Sequence, residues 1–209
     1  MSLQSKDRES RHLEQEIRDV TLSTLCALVQ LLDLKDLTTG VHSSRLATWS
    51  VTICKLMGLS ADETRQVEIA AILHDLGKIG VPDEILKKPS RLTPEEQAIM
   101  RKHPEYGWAV IKNIPGCQSA SLVILHHHEM WNGNGYPAGL KGESIPLGAR
   151  IVAITDAFDA MTTDRCYRKG VALTRALETL ERFAGTQFDP QIVPVFADFL
   201  RAEELHSHT

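Results

Sequence analysis

The run AAILHDLGKIGVP, residues 70–82, begins as an apolar helical stretch and then presents an imidazole, a carboxylate and an ammonium in close succession, His74, Asp75 and Lys78. Each is costly to bury without a partner. The pattern recurs along the chain. His42, His103 and the consecutive His126, His127 and His128 fall at the ends or breaks of helical runs, and Asp156 lies in ARIVAITDAFDAM, where nearly every neighbour is apolar. A carboxylate in that setting needs a charge partner, hydrogen-bond donors or a metal ion. A salt bridge to Arg150 or another arginine is one solution and a metal is the other. A single core histidine is commonly just a satisfied side chain, whereas several at the ends of apolar runs favour a shared ligand set.

Neutral imidazole and carboxylate suit Fe, Mn, Zn, Co or Ni. Cys26, Cys54, Cys117 and Cys166 contain no C-x-x-C pair, which argues against a structural zinc knuckle. Two metals about 3.5–4 Å apart need a large ligand inventory with a bridging carboxylate, and the inventory here is large enough. Adjacent helical residues point about 100° apart, so His74 and Asp75 reach one metal only with help from the local backbone, or serve two neighbouring metals. Competing motifs fail: HEMWN at 128–132 lacks the second histidine of H-E-x-x-H, and there is no G-x-x-x-x-G-K-[ST] or G-x-S-x-G.

The elements that must hold these residues are helical. Apolar residues at helical spacing predict an amphipathic helix over about 13–33, either packed on the core or acting as a linker or coiled-coil stub. Helices are expected at about 43–58 and 62–75, the second opened by Ser60 with Glu63 three residues on. Thr93, Pro94 and Glu96 predict another start, with the helix running to about Lys102 before His103–Pro104 interrupts it. A further helix ends near His128. WNGNGYPAGLKGESIP is an irregular loop, and helices at about 147–162, 172–184 and 190–204 complete an all-α chain.

With 209 residues, 43% of them hydrophobic, the chain can bury a sizeable core. A formal net charge of −4 gives no reason to expect binding to a nucleic acid polymer, and the absence of an 18-residue apolar run gives none to expect a membrane span. The four widely spaced cysteines read as reduced thiols of a cytoplasmic protein.

The segments TTGVHSSR, ILHDLGKIGVPDEILKKP, LTPEE, RKHPEYGWAVI, HHEMWNGNGYPAGLKGESIPLGARIVAITDAFDAMTTDRCYR and AGTQFDP resemble, in order, the HD-GYP family, a branch of the HD-domain metal-dependent phosphohydrolases, over roughly residues 36–196. The combined HDxGK and HHExWxGxGYP patterns make that resemblance specific. It implies an all-α HD-domain helical bundle at 35–209, preceded by a polar segment and linker-type helix at 1–34. It also implies a phosphodiesterase that hydrolyses cyclic di-GMP to linear pGpG, with GMP as a further product to be tested.

By the same resemblance the metal ligands are His42, His74, Asp75, His103, His127, His128 and Asp156, with Asp75 bridging and His126 left to a structural role. Some family members carry a glutamate four residues before the first histidine and hold three metals. Thr38 stands there instead, which implies two divalent metals, iron or manganese first and zinc, cobalt or nickel as alternatives. The implied mechanism is attack on phosphorus by metal-activated hydroxide, with Asp75 and Lys78 as catalytic residues and Lys78 steadying a phosphate oxygen.

Arg165 and Arg168 match substrate-contacting positions, although a solvated basic turn would give the same residues. Cys166, where the family has proline, alters the loop that carries them. Gly135, Tyr136 and Pro137 form the name motif, as a structural loop or as a docking surface for diguanylate cyclase domains. Glu129 and Asp159 are candidate partners for the ligand histidines, with ordinary capping or ion pairing as the alternative. A homodimer through the N-terminal helix follows from its amphipathicity. Rival readings are an HD phosphohydrolase for another nucleotide or cyclic dinucleotide, a non-catalytic docking module, and a di-iron oxygenase.

Overall fold

Helix starts fall where the side chains can satisfy the free N–H groups of a first turn. In the computed structural model, which describes residues 12–13, 15–17, 19–27, 29, 42–164 and 169–207, helix α1 spans His42–Leu56 and α2 spans Ala61–Leu73. Ser60 accepts from the Glu63 amide at 3.3 Å and the Glu63 carboxylate accepts from the Ser60 amide at 2.9 Å, closing the expected capping box. Thr93 and Glu96 repeat the device at α4 (Pro94–Met100), after the short α3 (Asp83–Leu86). Helix α4 stops two residues before the expected end, and His103–Pro104 is the first turn of a new helix, α5 (His103–Ile111). Proline fits there because a first-turn residue needs no N–H donor.

Helices α6 (Gln118–His126), α7 (Leu147–Thr162), α8 (Leu173–Phe183) and α9 (Ile192–Ser207) follow, with 3₁₀ turns at Leu76–Gly80 and Gly142–Ser144. Among the described residues there is no strand, only an isolated bridge between Ala184 and Phe188. The fold is all-α, as the periodicity predicts.

Helix α1 packs on α2 and α7, while α6 is covered by α2, α5 and α7. Leu46, Ile53, Leu73, Ile111, Ile124, Ile151, Ile154 and Phe196 fill the centre, fully buried. Trp49, Phe158 and Phe196 meet edge to face, with centroids 5.0, 6.1 and 5.2 Å apart. The described residues between 12 and 29 are helical. Leu22, Leu25 and Cys26 lie against this core and Val29 is buried in it, while Leu13, Ile17 and Val20 are exposed. Asp19 pairs with Arg65 of α2 at 3.1 Å. Among the described residues no helix is long and apolar enough to cross a membrane.

Candidate metal centre

Helix α2 stops at Leu73, and the chain tightens through Asp75 (φ −93°, ψ 2°) into the 3₁₀ turn. That change of pitch is the backbone help that two adjacent ligands require. It brings His74 Nε2 to 3.3 Å from Asp75 Oδ2. His42 begins α1, Asp156 lies on α7, His103 begins α5, and His127 and His128 follow the end of α6. The potential ligand atoms of His42, His74 and Asp75 all lie within 4.8 Å of one another, and so do those of His103, His127 and His128. Asp156 Oδ1 adds to the first group, 3.7 Å from His42 Nε2 and 3.9 Å from His74 Nε2. Asp75 faces both groups, since its other oxygen, Oδ1, is 3.4 Å from His103 Nε2.

The donor chemistry fits metal ions. Nδ1 of His74, His103 and His127 lies 2.8, 2.9 and 2.7 Å from the carbonyls of Ala71, Met100 and Ile124. A carbonyl only accepts, so each Nδ1 carries a proton, and each ring turns its Nε2 inward. His103 Nε2 and His127 Nε2 then oppose each other at 3.4 Å, and His74 Nε2 is buried with no hydrogen-bond partner. Burial holds His127 well below the usual histidine range, helped by His128, His74 and His103 as neighbours. Burial followed by His103 brings His128 down to about 4. Burial likewise lowers His103 despite Asp75. His74 goes the other way: burial opposes its charge, but the carboxylates of Asp75 and then Asp156 raise it to about 9. The first group therefore draws positive charge inward, while the second offers neutral imidazoles, a combination that divalent cations satisfy.

Around this set the structure separates roles that sequence leaves open. Asp156 makes no pair with Arg150, which binds Asp189 at 2.6 Å and the Ile145 carbonyl at 2.9 Å. Asp159 is buried and accepts from His42 Nδ1 at 2.5 Å and from Arg45 Nε at 2.7 Å. Among the described residues Glu129 makes no hydrogen bond or ion pair with a ligand ring. Its oxygens accept from the amides of Ala138 at 2.8 Å and Leu140 at 3.1 Å, and His126 Nδ1 is 3.4 Å away. His126 thus faces Glu129, away from the ligand groups. Glu129→Ala removes two loop acceptors from a fully buried side chain, and it is expected to lower stability by about 1–3 kcal/mol in thermal unfolding. An unchanged melting temperature would reject Glu129 as the loop's anchor.

The loop folds back on the ligands. A Cβ on Gly135 would sit 2.3 Å from the Met130 amide nitrogen, and the Tyr136 ring stacks on His128 at 4.8 Å, 28° between planes. The Tyr136–Pro137 peptide is cis. Burial raises the Tyr136 phenol, keeping it protonated. Trp131 and Asn132 amides donate to the Gln187 and Thr186 carbonyls at 3.0 and 2.8 Å, which accounts for AGTQFDP as the loop's support. Lys78 Nζ lies 2.8 Å from Asp75 Oδ2. Arg165, Arg168, Cys166 and Thr38 lie outside the described residues. Sequence reasoning missed Arg45; the signal was an arginine one turn after His42, on the same helix face.

A family model described as HD domain matches residues 27–192. A cyclic di-GMP phosphodiesterase from Thermotoga maritima is 39% identical over 183 residues, covering 87% of this chain and 50% of that protein. The cyclic di-GMP phosphodiesterase response regulator RpfG of Xanthomonas campestris is 38% identical over 180 residues, 85% of this chain and 48% of its own. A 3'3'-cGAMP-specific phosphodiesterase 2 from Vibrio cholerae is 34% identical over 192 residues, 91% and 37%. The chain thus spans half or less of the length of these relatives. Among solved structures, a cyclic GMP-AMP specific phosphodiesterase of V. cholerae matches with TM-score 0.66 at 20% identity, over 85% of this chain and 48% of its own. The PgpH HD domain of L. monocytogenes matches at TM-score 0.58 and 16% identity, over 88% and 99%; both support the fold. A helical bundle that gathers His74 and Asp75 with four further histidines, matched over most of its length by the domain model, belongs to the HD-domain family, and its motifs put it in the HD-GYP branch.

Proposed function

We propose that the chain is a metal-dependent phosphodiesterase that opens cyclic di-GMP to linear pGpG, with hydrolysis on to GMP as a second step to be measured. The observation that carries this reading is the meeting of two ligand groups at one carboxylate, Asp75, whose two oxygens face His74 and His103 at 3.3 and 3.4 Å. His42, His74, Asp75 and Asp156 would hold one divalent ion, and Asp75, His103, His127 and His128 the other; iron or manganese is the first choice. Bound there, the ions would supply Lewis acidity and activated water for attack on phosphorus. Lys78, 2.8 Å from Asp75, neutralises that carboxylate and would supply a positive partner for a non-bridging phosphate oxygen. Arg165 and Arg168 are assigned to the substrate's phosphates and guanine.

Residues 1–34 are assigned to a polar segment and a linker-type helix ahead of the catalytic domain at 35–209. The exposed Leu13, Ile17 and Val20 offer a homodimer face, and Gly135, Tyr136 and Pro137 a surface for diguanylate cyclase domains in the cytoplasm.

A second substrate has its own support: relatives 30–34% identical are named 3'3'-cGAMP-specific phosphodiesterases. The test is turnover of cyclic di-GMP and 3'3'-cGAMP, each with Mn(II) or anaerobic Fe(II), with products separated by chromatography and metal counted on the same sample. Formation of pGpG by protein holding about two metals per chain is the expected result. No product from either substrate at full occupancy would overturn the reading, and preference for 3'3'-cGAMP would replace the substrate.

A further inference from the structure

We propose that Arg45 is a positioning residue for the first metal site alone, so that the two sites have separable affinities. The inference rests on the binuclear reading above. Three of the imidazoles are fixed by backbone: His74, His103 and His127 each point Nδ1 at the carbonyl three residues earlier. His42 is held differently. It opens α1, and its Nδ1 partner is a side chain, Asp159 of α7. Side chains rotate where a helix backbone does not, so the direction of His42 Nε2 is only as fixed as the Asp159 carboxylate.

Asp159 is 2% exposed, and what holds its second oxygen is Arg45, which donates Nε to Oδ1 at 2.7 Å. The same guanidinium donates Nη2 to Thr163 Oγ1 at 2.8 Å. Thr163 is itself tied to Asp159, its amide donating to the Asp159 carbonyl at 2.9 Å. Anchored by its second donor on Thr163, the planar guanidinium fixes the place of Asp159 Oδ1 and so limits rotation of the carboxylate that His42 meets. Arg45 thereby clamps α1 onto the last turn of α7. Those two helices carry His42 and Asp156, two of the three ligands that only the first site uses. No hydrogen bond or ion pair joins Arg45 to Asp75, His103, His127 or His128 among the described contacts.

The test counts metals. Mn(II)-loaded wild-type protein and variants are exposed briefly to a chelator, retained metal is measured by mass spectrometry, and the apoproteins are melted by circular dichroism. Arg45→Ala is expected to release one metal at least about 10-fold faster than wild type and to retain the other. Arg45→Lys keeps the charge near Asp159 but cannot also reach Thr163, so it should fall between the two. In combination with His42→Ala, Arg45→Ala should remove nothing further, whereas combined with His103→Ala it should leave the chain nearly metal-free. Wild type that never holds two metals would defeat the binuclear reading itself. If wild type holds two and Arg45→Ala and Arg45→Lys release both at the wild-type rate, the positioning role is wrong. Equal loss from both sites with a lowered apoprotein melting temperature would make Arg45 merely structural and overturn it too. If Arg45→Ala does not fold, Arg45→Lys decides.

Discussion

Asp75→Asn is expected to empty both metal sites at once and to take turnover with them. The substitution is nearly isosteric, so packing is left alone and the effect is chemical. In the wild-type chain Asp75 Oδ2 faces His74 and Oδ1 faces His103. An amide keeps one oxygen and turns an NH₂ toward one of the two imidazoles, so one group loses its shared ligand outright. The other loses charge. Asp75 and Asp156 are the anionic members of the ligand set, and only Asp75 is common to both groups. The carboxylate is held well below its usual range: burial opposes ionisation, but Lys78 and His74 outweigh it. It therefore carries full charge wherever the protein is folded and assayed. Even partners one layer outside a metal's ligands are worth about 10–100-fold, so turnover should drop by more than about 100-fold, with metal content near zero. His103→Ala is the contrast, since it should spare the first metal. An Asp75→Asn protein with two metals per chain, or with near-normal turnover, would remove Asp75 from the centre of the proposal.

Much of this was legible in the sequence because it is encoded locally. Ser60 with Glu63, and Thr93 with Pro94 and Glu96, announce helix starts through hydrogen bonds that span three residues. The all-α class follows from periodicity, and the clustering of histidines at the ends of apolar runs is a local pattern too. What escaped depends on residues far apart in the chain. Nothing near Glu129 says that it faces the loop amides of Ala138 and Leu140 while Asp159 takes the histidine; both stand beside candidate ligands with the same carboxylate. Asp156 and Arg150 are equally ambiguous until Asp189 is seen to occupy the arginine. His103–Pro104 reads as a break because proline ends helices as readily as it starts them, and only the packing of α5 on the 3₁₀ turn decides.

Gly77 is a case of a residue whose reason lies elsewhere in the chain, and Gly77→Ala is expected to damage both the fold and the site, since its Cβ would make the closest contact among the described glycines. A Cβ built there would stand 1.9 Å from the His103 carbonyl oxygen, 2.6 Å from the Gly107 amide nitrogen and 2.8 Å from the His103 carbonyl carbon. All three are backbone atoms of α5, so no side chain can rotate away. Either the turn that carries Asp75 and Lys78 moves, or the start of α5 that carries His103 does. Overpacking of this kind costs roughly 1–3 kcal/mol, occasionally more, which in a chain of this size lowers the melting temperature by roughly 2–12 °C. The functional loss should exceed the loss of stability. The Asp75 to His103 approach of 3.4 Å spans the very contact that the methyl pries apart. A Gly77→Ala protein that is still folded at the assay temperature should therefore bind metal poorly at the site shared by Asp75 and His103 while its helical content stays normal. Melting the apoprotein and counting metals on the loaded protein separates the two effects. A variant that melts with wild type and keeps both metals would mean that α5 and the turn yield without moving their ligands, and the close approach at Gly77 would then have no bearing on the site.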